Sequence, residues 1–344
     1  MRLPQVVIVI ALVTGAMQSY GAEHTIRIVS LANTNDEDYA GALAFKEIVE
    51  KESGGAIEVV IFTGGQLCGS PTECLLGLQG GVMDVFMSTL GGLANFFPEI
   101  QFLDLPYLFP DDETLEQLYR GPLVDDLREA ILEQTGLRLM TIGNTGGWRN
   151  IANTKREVRT PSDLKGLKLR TISSPIQIEL TRSLGASPTP IPWPELYIAL
   201  ATGTVDGSKN GLTDIVGMGF EEHIKFVTMD GHAYMSALWL MNDDSFNELS
   251  PNLQAVVEKG FVALQEVTMR VPKERRADAI AQFEAAGGKI YWPTPEEKAL
   301  FVKAAQPVYD WYTSQFGEIW LEKVNAAAAA IEDGNEQGTV HQPR

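Results

Sequence analysis

Histidine and cysteine are scarce in this chain. Four histidines, at positions 24, 223, 232 and 341, are scattered over 344 residues, and the two cysteines, Cys68 and Cys74, stand six apart. A Cys/His zinc centre needs such ligands in clusters and a dithiol redox motif needs the C-x-x-C spacing, so no metal and no cofactor is expected. Cations are also few: 27 Lys and Arg face 45 Asp and Glu, a formal charge of −18. A surface of that sign repels nucleic acid and anionic membranes. It offers no long-range funnel for an anion either, so any anion must be held by a few locally placed cations. The nucleophile elbow G-x-S-x-G, the H-E-x-x-H helix, the Walker loop and a G-x-G-x-x-G after a strand are all missing, which argues against the common hydrolase, zinc-protease and nucleotide chemistries. Long apolar runs are missing too, since the one near the N-terminus falls well short of the ~20 residues a bilayer-spanning helix needs.

What is present begins with Arg2, the apolar run Val6 to Val13 and small residues up to Ala22, the layout of a secretory leader over residues 1–22. An uncleaved N-terminal anchor is the other reading of that run, and export follows from both. Cleavage falls after Gly21 or Ala22, and the expected location is periplasmic, with no direct membrane insertion. About 320 residues remain, which the usual domain size divides into two lobes. Apolar residues make up 44% of the chain, enough for two cores. In an oxidising compartment Cys68 and Cys74 are candidates for a local disulfide, although spacing alone does not fix the distance a bridge requires.

One punctuation organises the chain. Ser70-Pro71-Thr72-Glu73, Ser174-Pro175-Ile176-Gln177 and Thr294-Pro295-Glu296-Glu297 each place a hydroxyl at a helix N-cap, proline in the first turn and a capping-box partner three residues on. Asp111-Asp112-Glu113 and Glu296-Glu297 read as helix first turns, where acids favour the dipole. Strands are expected at 25–30, 57–62, 84–88, 137–142, 167–172 and from 205 towards 210. Helices are expected from Asp38, from Pro71, from Ser174 and over 193–202. The alternation is a βαβ rhythm and the fold class is α/β. From Ser250 a helical pattern runs towards Phe283 through Leu253, Val256, Val257 and Phe261, long enough to bridge two lobes, with a kink or break expected at Pro272. Residues 331–344 read as a polar tail.

Cations and amides gather between Gly146 and Asn210, at strand ends and before helix starts, which is where open α/β sheets bind ligands. In Leu167-Lys168-Leu169-Arg170-Thr171, alternation sends Leu167 and Leu169 to one face and Arg170 to the other. Arg170 lies four residues ahead of Ser174, so a guanidinium and a positive helix end can converge on one anion. The planar fork of donors on arginine suits a carboxylate. An arginine at a strand end is also an ordinary surface ion-pair partner, and Trp193, between Pro192 and Pro194, is also an ordinary packing aromatic.

The run Asp163-Leu164-Lys165-Gly166-Leu167-Lys168-Leu169-Arg170 is followed by Leu184-Gly185-Ala186-Ser187-Pro188-Thr189-Pro190, Trp193-Pro194-Glu195-Leu196-Tyr197 and Gly203-Thr204-Val205-Asp206-Gly207. This series resembles the solute receptors of tripartite ATP-independent periplasmic (TRAP) transporters, of the dicarboxylate-receptor type. The likeness extends upstream through Gly64-Gly65-Gln66-Leu67 and Gly81-Val82-Met83-Asp84 and downstream through Gly231-His232. It implies a two-lobed binding protein with a cleft between lobes, hinge strands and a long lobe-spanning helix. Lobe I then takes residues 23–146 plus about 234–272, and lobe II takes 147–233 plus about 273–330. It implies Arg170 as carboxylate clamp, Arg149 as a second ligand-facing arginine, Asn210 as a ligand contact and Trp193 as the covering aromatic. The expected partners are a small organic carboxylate and the membrane permease subunits of a TRAP system. Lys209 stands where the family commonly has glutamate: it either faces the cleft as an added cation or faces out as a solvated lysine, and the rarity of buried lysine favours the second. Thr89 stands where the sialic-acid receptors of the family carry glutamate, which disfavours that ligand. A sensory receptor presenting its ligand to a signalling protein, and an exported enzyme acting on a carboxylate, remain as other readings.

Overall fold

The computed structural model describes residues 22–339, with side chains described through Ile331. The expected leader lies outside the described residues except for Ala22. Nine strands form one sheet: β1 (His24–Val29), β2 (Ile57–Phe62), β3 (Val85–Thr89), β4 (Leu137–Asn153), β5 (Lys168–Thr171), β6 (Ser187–Pro190), β7 (Gly207–Asn210), β8 (Phe226–Asn242) and β9 (Lys289–Tyr291). Their order is β2-β1-β3-β8-β4-β7-β5-β6, with β9 on the other side of β8. Short apolar strands such as Ile57–Phe62 pair in parallel across connecting helices, and the expected helix starts hold: Ser70 Oγ accepts from the Glu73 N–H, and Thr294 and Glu297 close a full capping box.

Two strands organise the rest. β4 and β8 are each 17 residues long and pair antiparallel from Leu137↔Asn242 to Asn153↔Phe226. The first part of β4 lies with the part of β8 that pairs with β3, whereas the last part of β4 pairs with β7 and the start of β8 pairs with β9. Each long strand therefore belongs to both halves of the molecule. Their ladder breaks register between Asn144 and Trp148, where Gly146 and Gly147 take positive φ of 102° and 78°. A Cβ on Gly146 would lie 2.5 Å from Asp214 Oδ1, so only glycine fits at that crossing.

The Pro251–Ala285 helix also belongs to both halves. Val257, Phe261 and Leu264 pack with Phe45 and Val49 in one core, and Ala279 and Phe283 pack with Leu196 and Phe220 in another. Pro272 sits inside this helix without ending it, contrary to a break. Burial of Thr268, Met269 and Val271 in the turn before it outweighs the lost hydrogen bond, which costs ~3 kcal/mol in an unsupported helix.

The C-terminal boundaries also differ from expectation. The final helix, Ile319–Thr339, continues through most of the segment read as a tail. Its Trp320 stacks on Phe102 at 5.3 Å and Lys323 pairs with Asp126, so from Ile319 onward the chain packs on the first half, not on lobe II. Alanine-rich sequence gives a helix but does not say which surface it covers. Cys68 and Cys74 are disulfide-bonded, with Cα atoms 5.2 Å apart, and brace the turn into the Ser70-capped helix.

Candidate functional site

A cavity of about 210 Å³ opens where these elements meet, lined by Thr89, Arg149, Arg170, Trp193 and Asn210. The Arg170 side chain leaves β5 on the face opposite Leu169 and is 3% exposed. Its Nε donates to the Ile191 carbonyl at 2.8 Å, its guanidinium lies 5.4 Å from the centre of the Trp193 ring, and its Nη2 has no partner. Burial, and then the nearby Arg149, push its pKa down to about 9, against the pull of Asp214, and the group still carries its proton at neutral pH. Trp193 is held from the other side by an edge-on contact with Phe220 at 5.2 Å.

Arg149, on β4, is also buried, with one hydrogen bond and an unpartnered Nε. Its Nη1 donates to the Lys209 carbonyl at 3.0 Å, and its Nε lies 3.9 Å from buried Asp104. Asn210 ends β7 with Nδ2 donating to Asp214 Oδ2 at 3.2 Å. Thr89 accepts from the Gly92 N–H at 3.2 Å, so its hydroxyl caps the short helix at the cavity rim.

Two expectations are corrected. Lys209 neither lines the cavity nor faces solvent: it is 3% exposed, and its Nζ donates to the Gln177 carbonyl at 3.0 Å and to Gln177 Oε1 at 2.8 Å. Burial, followed by Arg149, lowers its pKa to about 7. Strand alternation explains the placement, because Asn210 takes the cavity face and its neighbour must take the other, where Gln177 and Asp104 wait. The helix end at Ser174 is not a free anion site. Ser174 Oγ makes no capping bond, and the Ile176 N–H is taken by Gln101 Oε1 at 2.9 Å.

The sequence reading also missed residues. Asp36, Asp38 and Asp214 line the cavity, all nearly buried. Burial pushes the carboxyls of Asp38 and Asp214 well above the usual range, and the neighbouring Asp36 adds to it. Asp36, Glu37 and Asp214 bring carboxylate oxygens within 4.8 Å of one another and are the residues that could hold a cation. The available signal was position: three consecutive acids at the start of the first helix, after the loop that leaves the first strand on the ligand-binding edge of an α/β sheet.

Comparison with known proteins identifies the family. The family model described as bacterial extracellular solute-binding protein, family 7, matches residues 28–315. The 2,3-diketo-L-gulonate-binding periplasmic protein of Escherichia coli (strain K12) is 31% identical over 269 residues, covering 78% of this chain and 81% of that protein. The sugar acid binding protein of Advenella mimigardefordensis in complex with galactonate superposes with a TM-score of 0.85 at 25% identity, over 89% of this chain and 98% of the other. A TRAP periplasmic solute-binding protein from Sulfurospirillum deleyianum with bound succinate superposes at 0.83 with 26% identity, over 89% and 99%. These three proteins bind 2,3-diketo-L-gulonate, galactonate and succinate, respectively. By a family match over most of its length, this chain belongs to the bacterial extracellular solute-binding protein family 7, the family of TRAP-type periplasmic receptors.

Proposed function

We propose that this chain is the periplasmic receptor of a TRAP-type transporter, that it clamps a small organic carboxylate on Arg170, and that it delivers the ligand to a membrane permease. The observation that carries this reading is Arg170, a buried, charged side chain that lines the cavity and whose Nη2 has no hydrogen-bond partner. A buried cation in that state gains most from an anion that completes its fork. Arg149 and Asn210 border the same space, and Trp193 offers an apolar face to the ligand's carbon skeleton. The register break at Asn144–Trp148 and the helix shared by both cores supply a hinge about which the halves close and exclude water. Permease delivery and periplasmic location rest on kinship with the receptors above. Among the described residues no helix is long and apolar enough to cross a membrane.

The test is a thermal-shift screen of organic acids followed by calorimetry. A ligand at a hundred times its dissociation constant adds ~2.7 kcal/mol of stability. Removing one partner of a desolvated ion pair costs ~2–5 kcal/mol, so Arg170→Ala is expected to weaken binding from roughly 30-fold to several-thousand-fold. Arg170→Lys is expected to bind poorly as well, because an ammonium cannot reproduce the fork. Unchanged affinity in Arg170→Ala overturns the clamp.

A further inference from the structure

The cavity that holds the unpartnered Arg170 donor also holds unpartnered acceptors. Asp38 Oδ2 accepts from Thr145 Oγ1 at 3.2 Å and Asp214 Oδ2 accepts from Asn210 Nδ2, while Oδ1 of each has no partner. Asp38 is 0% exposed and Asp214 is 3% exposed. Asp36 differs, because its Oδ1 accepts from the Asp38 N–H at 3.0 Å and caps the Glu37–Glu52 helix. Acids in a helix first turn are ordinarily solvated, with the dipole as sufficient company. Here they are walled in beside an open space. Among the described residues, none of Asp36, Glu37, Asp38 and Asp214 forms an ion pair with a Lys or Arg side chain. Arg275, whose charge lowers the pKa of Asp36 and Glu37, donates to the Asn35 carbonyl at 2.6 Å and pairs with neither. Asp214 feels the charge of Asp36, which raises its pKa, and the charges of Arg149 and Arg170, which lower it.

We propose that the ligand carries a positively charged nitrogen at the end away from its carboxylate, so that this receptor takes amino- or amidinium-bearing carboxylates and rejects dicarboxylates. This inference rests on the Arg170 clamp. With the carboxylate on Arg170, an ammonium brings N–H donors to Asp38 Oδ1 and Asp214 Oδ1 and neutralises both. A second carboxylate at that end meets like charge in a desolvated space and is rejected.

The test is calorimetry of the full mature chain against carboxylates grouped in sets that differ only in the distal group. Two such sets are 4-aminobutyrate, 4-hydroxybutyrate and succinate, and 4-(aminomethyl)benzoate, 4-(hydroxymethyl)benzoate and terephthalate. In every set that binds, the ammonium member is expected to exceed the hydroxyl member by about tenfold and the dicarboxylate by about a hundredfold. Asp38→Asn and Asp214→Asn keep shape and remove charge. Each is expected to erase most of the ammonium advantage while moving the hydroxyl member by less than about threefold. A dicarboxylate that binds as well as its ammonium counterpart overturns the inference, as does an ammonium preference that survives both variants. Binding that requires added calcium and is lost to a chelator also overturns it, by assigning the acids to a metal ion. In all three cases loss of binding in Arg170→Lys leaves the receptor reading standing. If no organic acid of any set or of the wider screen binds, both readings fall together.

Discussion

The two ends of the cavity face opposite problems. At one end Arg170 and Arg149 are buried cations, each with one hydrogen bond and one unpartnered nitrogen, and they differ in their ion pairing: Arg149 lies beside Asp104, whereas Arg170 pairs with no carboxylate among the described residues. At the other end Asp38 and Asp214 are buried carboxyls, each with one unpartnered oxygen and a pKa that burial raises. Neither end is neutralised by direct pairing with the other within the chain. The difference teaches that local charge imbalance, left where a ligand can reach it, is how this fold makes an anion site inside a chain of −18 formal charge.

The comparison breaks first at the arginines. Arg170→Ala is expected to lose more affinity than Arg149→Ala, and Arg149→Ala is expected to lose more stability, because it strands Asp104, whose carboxyl burial already pushes up. Calorimetry and thermal melts of the two variants, side by side, decide the matter, and equal losses of affinity remove the distinction. The acidic end is the next target. The pKa of Asp38 is raised on folding, so above the ordinary carboxylate range of about 4 the folded chain still holds a proton that the unfolded chain has released. Stability contributed by the protonated form is therefore lost as pH rises through the folded value. Asp38→Asn escapes that loss: without ligand it is expected to be more stable than the parent at pH 8, with the gap closing towards pH 4, in urea unfolding at several pH values. The smallest effect on binding is expected behind the arginine end. Lys209→Met is expected to change affinity by less than about threefold, because the ammonium serves Gln177 and not the cavity. It shows instead in pH dependence. Between about 7 and the unfolded value near 10.5 the unfolded chain binds a proton that the folded chain has released, so the parent gains stability with rising pH across that window and the variant loses this slope. Unfolding measured at pH 7 and pH 9.5 separates the two.

Much of the fold was legible because its signals are local. The Ser-Pro and Thr-Pro caps, the β-branched runs and the long helical period each report on a stretch no longer than one element. The longest misses were β8, which went unread, and β4, which was read only to Ile142. From Ala233 to Asn242, β8 is buried on both faces and so lacks the alternation that marks a half-exposed strand. The Asn144-Thr145-Gly146-Gly147 stretch of β4 reads as a turn and is in fact the crossing between halves. At Ser174 the cap signal was correct about where the helix starts and silent about Gln101, which arrives from 75 positions away to take the Ile176 N–H.

The sequence by itself determined the α/β rhythm, the helix starts and the face of β5 from which Arg170 projects, since each depends on backbone geometry over a few residues. Only the tertiary structure decided that Lys209 turns towards Gln177, that the last helix covers the first half, and that Asp38 and Asp214 share a cavity with Arg170. Those outcomes depend on groups that are distant in the chain and close in space. The energy of a buried charge is set by whichever partners the fold brings to it, and local patterns carry no record of them.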